Sequence, residues 1–275
     1  MGKFDGILIC TDLDGTLLKN DKTISEENRE AIEYFKREGG YFTFITGRMP
    51  YTSRRLYDMV KPNAPIGCIN GGGIYDFEKE KYLWSITLPE GARALVGAVY
   101  DGVPSAGIQL NGLEAIYFCR DNDAMYHFRK RTGATFLQGD YRTVDVPVAK
   151  VVFGSDSEEE INRIADILRN HPRNAEFDYI RSERTLYEIL PKGSSKGNLL
   201  PRLAEILGVK MSHTVAVGDY NNDVSMIEAA GVGIAVANAV EEAKAAADII
   251  TVSNEESAIA KIIEEIERGK IVFEK

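Results

Sequence analysis

Short apolar segments that alternate with helical patterns constrain the fold of this chain more than any other feature. The first lies at residues 7–10, and the helical pattern after it begins behind Ser25 and stops at Gly39. Five similar segments follow, at 41–45, 66–69, 214–217, 232–236 and 249–252. Strands joined through helices pair in parallel, so this alternation predicts an α/β fold with a Rossmann-like, doubly wound parallel sheet as its core.

The middle of the chain interrupts this alternation. Residues 83–187 mix strand and helix patterns with Gly-rich turns. Because both ends of this segment must return to one sheet, we expect an inserted α+β cap domain at 83–187 within a core domain formed by 1–82 and 188–275. Such an insertion suits a lid, and we expect it to select the ligand.

Composition limits the partners of the chain. With 33 basic and 42 acidic residues the net charge is −9, which disfavours binding to nucleic acid or to an anionic membrane, since both present phosphates. Three distant cysteines predict reduced thiols, and three scattered histidines give no support to a zinc site. The apolar segment at 7–10 is too short for a signal peptide or a membrane span, so we expect a cytoplasmic location.

Polar clusters stand where the predicted strands end or a helix begins. They are Asp12-Leu13-Asp14-Gly15-Thr16, Thr46-Gly47, Ser195-Lys196-Gly197 and Asp219 to Asp223. In open α/β sheets ligands bind outside the carboxyl ends of the strands, and residues two apart in an extended segment face the same side. The first cluster alone could be an ordinary Asp-rich and Gly-rich turn, but the four together predict one ligand site.

The residue types in these clusters suit phosphoryl transfer. A carboxylate can attack phosphorus, and Mg²⁺ held by carboxylates, with Asp12 and Asp219 as ligands, offsets its repulsion from an anionic substrate. Thr46 and the backbone amides around Gly47 and Leu13 can donate hydrogen bonds to phosphate oxygens. Lys196 supplies the local positive charge that an acidic protein needs to handle an anion.

Asp14 has a different expected role, because an ordinary aspartate is a poor proton donor at neutral pH. Crowding by Asp12, Asp219 and a substrate phosphate would keep it partly protonated, provided that only its carbonyl coordinates the metal. Asp14 could then protonate the leaving oxygen and afterwards deprotonate the hydrolytic water.

The four clusters, in this order, resemble the motifs of haloacid dehalogenase-like hydrolases: Asp-Leu-Asp-Gly-Thr, Ile-Thr-Gly-Arg, Ser-Lys-Gly and Gly-Asp-x-Asn-Asp. The Asn70-Gly71 step, the Glu188-Ile189-x-Pro191 approach to Lys196 and the long insertion are similar to the Cof-type branch with a type IIB cap. This resemblance implies a Mg²⁺-dependent phosphatase that acts on small phosphorylated metabolites through an aspartyl-phosphate.

The resemblance also implies a role for each motif residue. Asp12 would be nucleophile and metal ligand, Asp14 acid/base and carbonyl ligand, and Thr46 and Lys196 the phosphoryl anchors. Asp219 would bind the metal, Asn222 the phosphate, and Asp223 would orient the metal's surroundings or Lys196. The paired Asp12 and Asp14 are typical of phosphatases of this family and not of dehalogenases.

Other interpretations differ in their support. Calcium binding of the EF-hand kind requires Gly at the sixth loop position, where Leu17 and Val224 stand, and residues 193–198 lack the Walker order Gly-Lys-Ser/Thr. A phosphomutase, or a non-catalytic phosphate-binding module on the same fold, stays open. The role of Arg48, the physiological substrate and the oligomeric state are left open as well, and Pro201 predicts a kink or restart in the helix after Lys196.

Overall fold

The computed structural model describes residues 2–132 and 135–273. The strands and helices of these residues, in chain order, are β1 (Leu8–Thr11), α1 (Glu26–Arg37), β2 (Tyr41–Phe44), α2 (Pro50–Val60), β3 (Ile66–Cys68), β4 (Gly73–Asp76), β5 (Lys81–Ser85), α3 (Ala92–Gly102), β6 (Gly107–Gly112), β7 (Ile116–Arg120), α4 (Asp123–Thr132), β8 (Phe136–Gln138), β9 (Val148–Gly154), α5 (Glu158–Arg169), β10 (Phe177–Glu183), β11 (Leu186–Pro191), α6 (Lys196–Leu207), β12 (Thr214–Gly218), α7 (Val224–Ala229), β13 (Val232–Ala235), α8 (Glu241–Ala246), β14 (Ile249–Ile250) and α9 (Ala258–Glu267).

The chain divides into two compact units. The first contains the residues up to Gly47, Arg55–Trp84, and the residues from Ser195 onward. The second contains Arg48–Arg54 and Ser85–Ser194, so that β11 and the first residues of α2 belong to it. None of the helices in the described ranges is long and apolar enough to cross a bilayer.

A five-stranded parallel sheet forms the centre of the first unit. Its strand order is β14-β13-β12-β1-β2, and Cys10 of β1 lies opposite Ala216 of β12 on one side and Thr43 of β2 on the other. The four residues of β1 are all buried, as expected for a strand that is covered on both faces. The predicted α/β class with a parallel sheet is therefore confirmed.

The predicted third strand meets the five-stranded sheet only at one isolated bridge, which is parallel as predicted. Strand β3 begins a separate three-stranded sheet of order β3-β4-β5 and pairs antiparallel with β4. Its link to the parallel sheet is an isolated bridge between Ile45 and Gly67. The cause is a short 3₁₀ turn at Ile69–Gly71, which has positive φ angles and returns the chain directly as β4.

Helix ends confirm one of the predicted caps and correct another. Ser25 caps α1 by accepting a hydrogen bond from the amide of Asn28. The alanine-rich segment 239–246 predicts a helix capped by Asn238, but α8 begins at Glu241 without a side-chain cap. The Asn238 side chain lies instead beside the loop that follows β1. Its Nδ2 donates to the Gly15 carbonyl, and its Oδ1 accepts from the backbone amide of Asn254.

Helix α6 passes through Pro201 as one element. It runs from Lys196 to Leu207, so the restart that Pro201 predicts does not occur. Both ends of the helix are capped. At its start the Ser195 hydroxyl accepts from the backbone amide of Asn198, and at its end Gly208 adopts a left-handed conformation with φ 68°. Leu199, Leu200 and Leu203 bury its inner face in the core of the first unit, which stabilises the helix despite the missing proline donor.

The second unit is built on a six-stranded sheet of order β10-β11-β9-β6-β7-β8. Neighbouring strands are antiparallel except for β7 and β8, which are parallel. Helices α3 and α5 bury apolar residues such as Val99 and Ile164 in a common core with the sheet residues Ile108 and Phe153. Mixed helices and an antiparallel sheet are what the sequence predicts for an α+β segment.

Candidate active site

The strand order brings three of the polar clusters to one edge of the parallel sheet. Asp12 follows the central strand β1, Asp219 follows β12 on one side, and Thr46 comes two residues after β2 on the other. The amide of Asp12 donates to the Val217 carbonyl over 2.8 Å, which extends the pairing of β1 with β12 up to the site. Parallel pairing therefore converts clusters that are far apart in sequence into neighbours.

Lys196 lies at the centre of the site and is fully buried. Its Nζ is 2.5 Å from Oδ1 of Asp12 and 2.6 Å from Oδ1 of Asp223. Burial opposes the charge of Lys196, but the carboxylates of Asp12 and Asp223 outweigh this and hold its pKa above the ordinary value. The ammonium group is thus permanently charged and fixed in position at the start of α6.

Asp223 uses both of its carboxylate oxygens within the protein. Oδ1 accepts from Lys196, while Oδ2 accepts from the backbone amides of Asp219 and Tyr220, each over 3.0 Å. Gly218 leaves room for this arrangement, since a Cβ there would meet the side chain of Asp223. The carboxylate therefore holds Lys196 and the loop of Asp219 together, in keeping with the orienting role predicted for it.

Asp219 is held by two residues of the first motif. The Thr16 hydroxyl donates to Oδ1 over 2.7 Å, and Gly15, with φ 89°, lies so close that a Cβ would stand 2.5 Å from Oδ2. Burial and the nearby carboxylate of Asp223 raise the pKa of Asp219 to about 6, against the hydrogen bond from Thr16. Without a bound cation, the ionised form of Asp219 is therefore less favourable than that of an ordinary aspartate.

The carboxylates of Asp12, Asp219 and Asp223 form a group that can hold a metal ion. One oxygen from each lies within 4.8 Å of the others, and no other group of three such ligand residues occurs among the described residues. Hard divalent cations such as Mg²⁺ prefer oxygen ligands and bind through one or two carboxylates. Because both carboxylate oxygens of Asp223 already accept hydrogen bonds within the protein, Asp12 and Asp219 are the better fit for direct ligands.

The electrostatics of Asp12 favour the same interpretation. Burial raises the pKa of Asp12 well above its ordinary value, Lys196 opposes this, and the carboxylates of Asp223 and Asp219 add to it. Three carboxylates thus share one ammonium group in a buried space. Such an excess of negative charge is costly to bury without a counter-charge, which a bound cation would provide.

Asp14 and Leu13 occupy separate positions beside this network. The Asp14 carboxylate accepts from Lys22 Nζ over 2.9 Å and is 39% exposed, so it lies outside the metal-binding group. The Leu13 side chain is buried, and its carbonyl accepts from the Leu18 amide, which fixes the loop after β1. That the Asp14 side chain stays off a bound metal remains a prediction.

Three of the predicted phosphate-binding residues, Thr46, Gly47 and Asn222, meet around Asn70. Asn222 Nδ2 donates to Asn70 Oδ1 over 3.3 Å, and the backbone of Gly47 lies directly against the Asn70 carboxamide. The Thr46 carbonyl accepts from the Asn70 amide over 3.1 Å, and Thr46 itself is buried. Asn70 therefore connects the Thr46–Gly47 loop to Asn222 in the loop that follows β12.

Some of these residues belong to the sequence motifs, but the sequence predicts no role for them. Thr16 and Gly15 are part of the first motif, and the fit of their hydroxyl and bare backbone against Asp219 explains why that motif continues past Asp14. Asn70 carried a signal as well, since an Asn-Gly step after a strand is typical of a left-handed turn. Nothing in the sequence indicates that Asn238 supports the first motif, because its contact with Gly15 joins residues 223 positions apart.

Comparisons with known proteins agree with this geometry. A family model described as haloacid dehalogenase-like hydrolase matches residues 9–263. The 5-amino-6-(5-phospho-D-ribitylamino)uracil phosphatase YwtE of Bacillus subtilis is 28% identical over 95% of this chain and 98% of its own length. The pyridoxal phosphate phosphatase YbhA of Escherichia coli is 28% identical over 93% and 97%. A haloacid dehalogenase-like hydrolase structure from Bacteroides thetaiotaomicron superimposes with a TM-score of 0.82 at 29% identity, covering 94% of this chain and 99% of the other.

Proposed function

The chain belongs to the haloacid dehalogenase-like hydrolases, as a Cof-type member, and from this premise we propose that it is a Mg²⁺-dependent phosphatase of small phosphomonoesters such as sugar phosphates or related metabolites. The observation that carries the proposal is the buried Asp12 carboxylate, held by Lys196 and flanked by Asp219 and Asp223. Curated relatives of similar length bear the names of phosphatases.

In the proposed first step an oxygen of Asp12 attacks the phosphorus of the ester. The bond between this oxygen and phosphorus forms while the bond to the leaving oxygen breaks, which gives an aspartyl-phosphate and an alcohol. Lys196 and the buried edge of the sheet fix the direction of the carboxylate, so that little reorientation is needed. When bound, Mg²⁺ would offset the charge repulsion between the carboxylates and the phosphoryl group.

Asp14 is the proposed acid and base. It donates a proton to the leaving oxygen in the first step and removes one from water in the second, when water attacks phosphorus and releases Asp12 and inorganic phosphate. Its carboxylate is paired with Lys22, and both side chains are partly exposed, so this pair can separate at little cost when substrate arrives. The carbonyl of Asp14 is the proposed third contact to the metal.

The phosphoryl oxygens are the proposed ligands of Thr46, Lys196 and Asn222, together with the backbone amides of Leu13 and Gly47. Hydroxyl, ammonium, carboxamide and amide groups are all donors, as an anion requires. Lys196 supports this role through its raised pKa, which keeps it protonated throughout the reaction. Anions stabilised by such preorganised donors gain most where charge develops in the transition state.

The proposal is tested by the release of inorganic phosphate from a panel of small phosphomonoesters, with Mg²⁺ and with a chelator. We expect turnover that requires Mg²⁺ and is abolished in Asp12→Asn. A panel with ribityl, sugar and pyridoxal phosphates would rank the substrate classes that the names of the relatives suggest. Phosphate binding without any turnover would contradict the phosphatase and favour a mutase or a binding module.

A further inference from the structure

We propose that Asn70 is a positioning residue that holds the carboxamide of Asn222 and the Thr46–Gly47 loop in place to receive a phosphoryl group. The inference rests on the proposed function, since it assigns a role within the same site. Its basis is a buried, left-handed turn at Ile69–Gly71 that aims the Asn70 side chain between the two loops.

The backbone of this turn is the first argument. Ile69, Asn70 and Gly71 have φ angles of 60°, 50° and 98°, in the left-handed region that favours glycine. For Ile69, which is β-branched and fully buried, this conformation is costly. Conformations of this kind persist only where the surrounding structure enforces them, and they cluster at functional sites.

The contacts of the Asn70 side chain are the second argument. Oδ1 accepts from Asn222 Nδ2 over 3.3 Å, and the residue is 2% exposed. The carboxamide also occupies the space where a side chain at position 47 would be, because a Cβ on Gly47 would lie 2.7 Å from Oδ1 and 2.9 Å from Nδ2. Gly47 is thus required for Asn70 to lie flat against this loop.

The backbone contacts of the turn are the third argument. The Asn70 amide donates to the Thr46 carbonyl, and Gly71 lies against the backbone of Ser195, immediately before Lys196. One three-residue turn therefore touches three segments that carry proposed phosphate ligands. A turn that served packing alone would not require contacts with Thr46, Asn222 and Ser195 together.

The test uses Asn70→Gly, which deletes the carboxamide while keeping a residue that accepts the left-handed backbone. We expect the KM for a phosphomonoester and the dissociation constant for inorganic phosphate, both measured with Mg²⁺, to rise by roughly tenfold each. This is about the effect of losing one hydrogen bond to the charged phosphate, here the bond from the misplaced Asn222. Thermal stability should stay near that of the unaltered protein, because glycine relieves the left-handed cost. Asn28→Ala, which removes another buried Asn, is the control that should lower stability without changing KM.

Two double variants separate positioning from packing. If Asn70 acts through Asn222, then Asn70→Gly and Asn222→Ala together should lose no more than either alone. Gly47→Ala should weaken phosphate binding by pushing the carboxamide aside, and should add nothing once Asn70→Gly has vacated that space. The single variant Gly47→Ala leaves the turn itself unaltered, so its loss of phosphate affinity tests the proposal even if Asn70→Gly fails to fold.

Three results would overturn the proposal. Losses that multiply in the Asn70→Gly/Asn222→Ala pair would show that the two residues act independently, and KM and phosphate affinity unchanged in Asn70→Gly would show that the side chain is not used. In both cases an active wild type would leave the proposed phosphatase function intact. A wild type that neither turns over esters nor binds phosphate would instead overturn the function and this inference with it.

Discussion

Each unit of the molecule buries a lysine beside a carboxylate, and the two cases differ in charge balance. In the second unit Lys150 Nζ lies 2.8 Å from Glu188 Oε2, with both side chains less than a tenth exposed, on neighbouring strands of one sheet. In the first unit Lys196 faces Asp12 and Asp223 at once, and Asp219 completes a group of three carboxylates.

The difference teaches where to look for chemistry. A pair of opposite charges can satisfy itself in a protein interior, although it gains little over an apolar pair of the same shape. Three carboxylates around one ammonium group cannot, and burial together with the neighbouring carboxylates raises the pKa values of Asp12 and Asp219. Shifted pKa values of this kind cluster at functional sites, and the proposed cation would balance the excess negative charge.

The largest expected effect is on catalysis in the first unit. Asp12→Asn should reduce Mg²⁺-dependent phosphate release by at least about a thousandfold, since it removes the nucleophile. The metal-free variant should unfold at the same or a higher temperature than the wild type, because burial and neighbouring carboxylates already oppose the charge of Asp12. Phosphate release and thermal melts check both parts, and a variant that is inactive because it is unfolded would contradict the charge argument.

In the second unit the expected effect is on stability. Lys150→Met leaves the Glu188 carboxylate buried without its ammonium partner and should lower the free energy of unfolding by about 3 kcal/mol. Lys150→Met combined with Glu188→Leu removes both charges and should recover most of this loss. Urea unfolding of the three proteins measures the difference; equal stability of the single variant would contradict the role of Lys150 as a charge partner that Glu188 requires.

Cation binding should depend on pH through Asp219. Its pKa is raised to about 6, so the folded, metal-free protein binds this proton more tightly than the unfolded chain does. Its contribution to stability is therefore lost as pH rises from about 4 to 6, while Mg²⁺ affinity rises by up to about tenfold per pH unit and levels off above 6.

Melting temperatures with a chelator and with Mg²⁺, taken across this pH range, measure both trends. Above pH 6 the cation should raise the melting temperature, by an amount that grows with its concentration. Asp219→Asn is the control, since it should abolish the pH-dependent gain from Mg²⁺. An affinity for Mg²⁺ that is flat from about pH 5 to 7 would show that no carboxylate of the group titrates there.

The smallest expected effect concerns Thr16, whose hydroxyl supports the charged form of Asp219. Thr16→Val keeps the shape of this fully buried side chain and removes one hydrogen bond, worth about 1 kcal/mol. We expect Mg²⁺ affinity to fall roughly fivefold at neutral pH and the pH midpoint of binding to move upward. Titration with Mg²⁺ at two pH values decides this, and an unchanged midpoint would assign Thr16 to packing alone.

Much of the first unit was predictable because the relevant signals are local. Periodicity along 7–10 and 214–217 identified buried strands, and β1 and β12 occur there. The chemistry of Asp12, Lys196 and Asp219 predicted a phosphoryl-transfer site, because carboxylates can hold Mg²⁺ and an ammonium group can bind an anion. Ser25 as a helix cap was equally readable, since a cap acts on an amide three residues away.

Where the prediction failed, a distant contact was responsible. Local pattern alone made Asn238 a helix cap, but its amide is engaged by Gly15 and Asn254 instead. The third apolar segment has the predicted parallel bridge to the central sheet, but the left-handed turn after it also pairs β3 antiparallel with β4, which the sequence did not indicate. Pro201 predicted a kink or a restart, and the restart does not occur because apolar residues of α6 pack in the core on both sides of the proline.

The sequence by itself determined the α/β class and the residue types of the site, because alternation and side-chain chemistry are properties of short segments. Only the tertiary structure decided that β1 lies between β12 and β2, that Lys196 meets Asp12 across 184 residues, and that Asn70 joins two loops. Burial and proximity, which set the charge imbalance of the site, arise from the packing of distant segments and have no signature in any one of them.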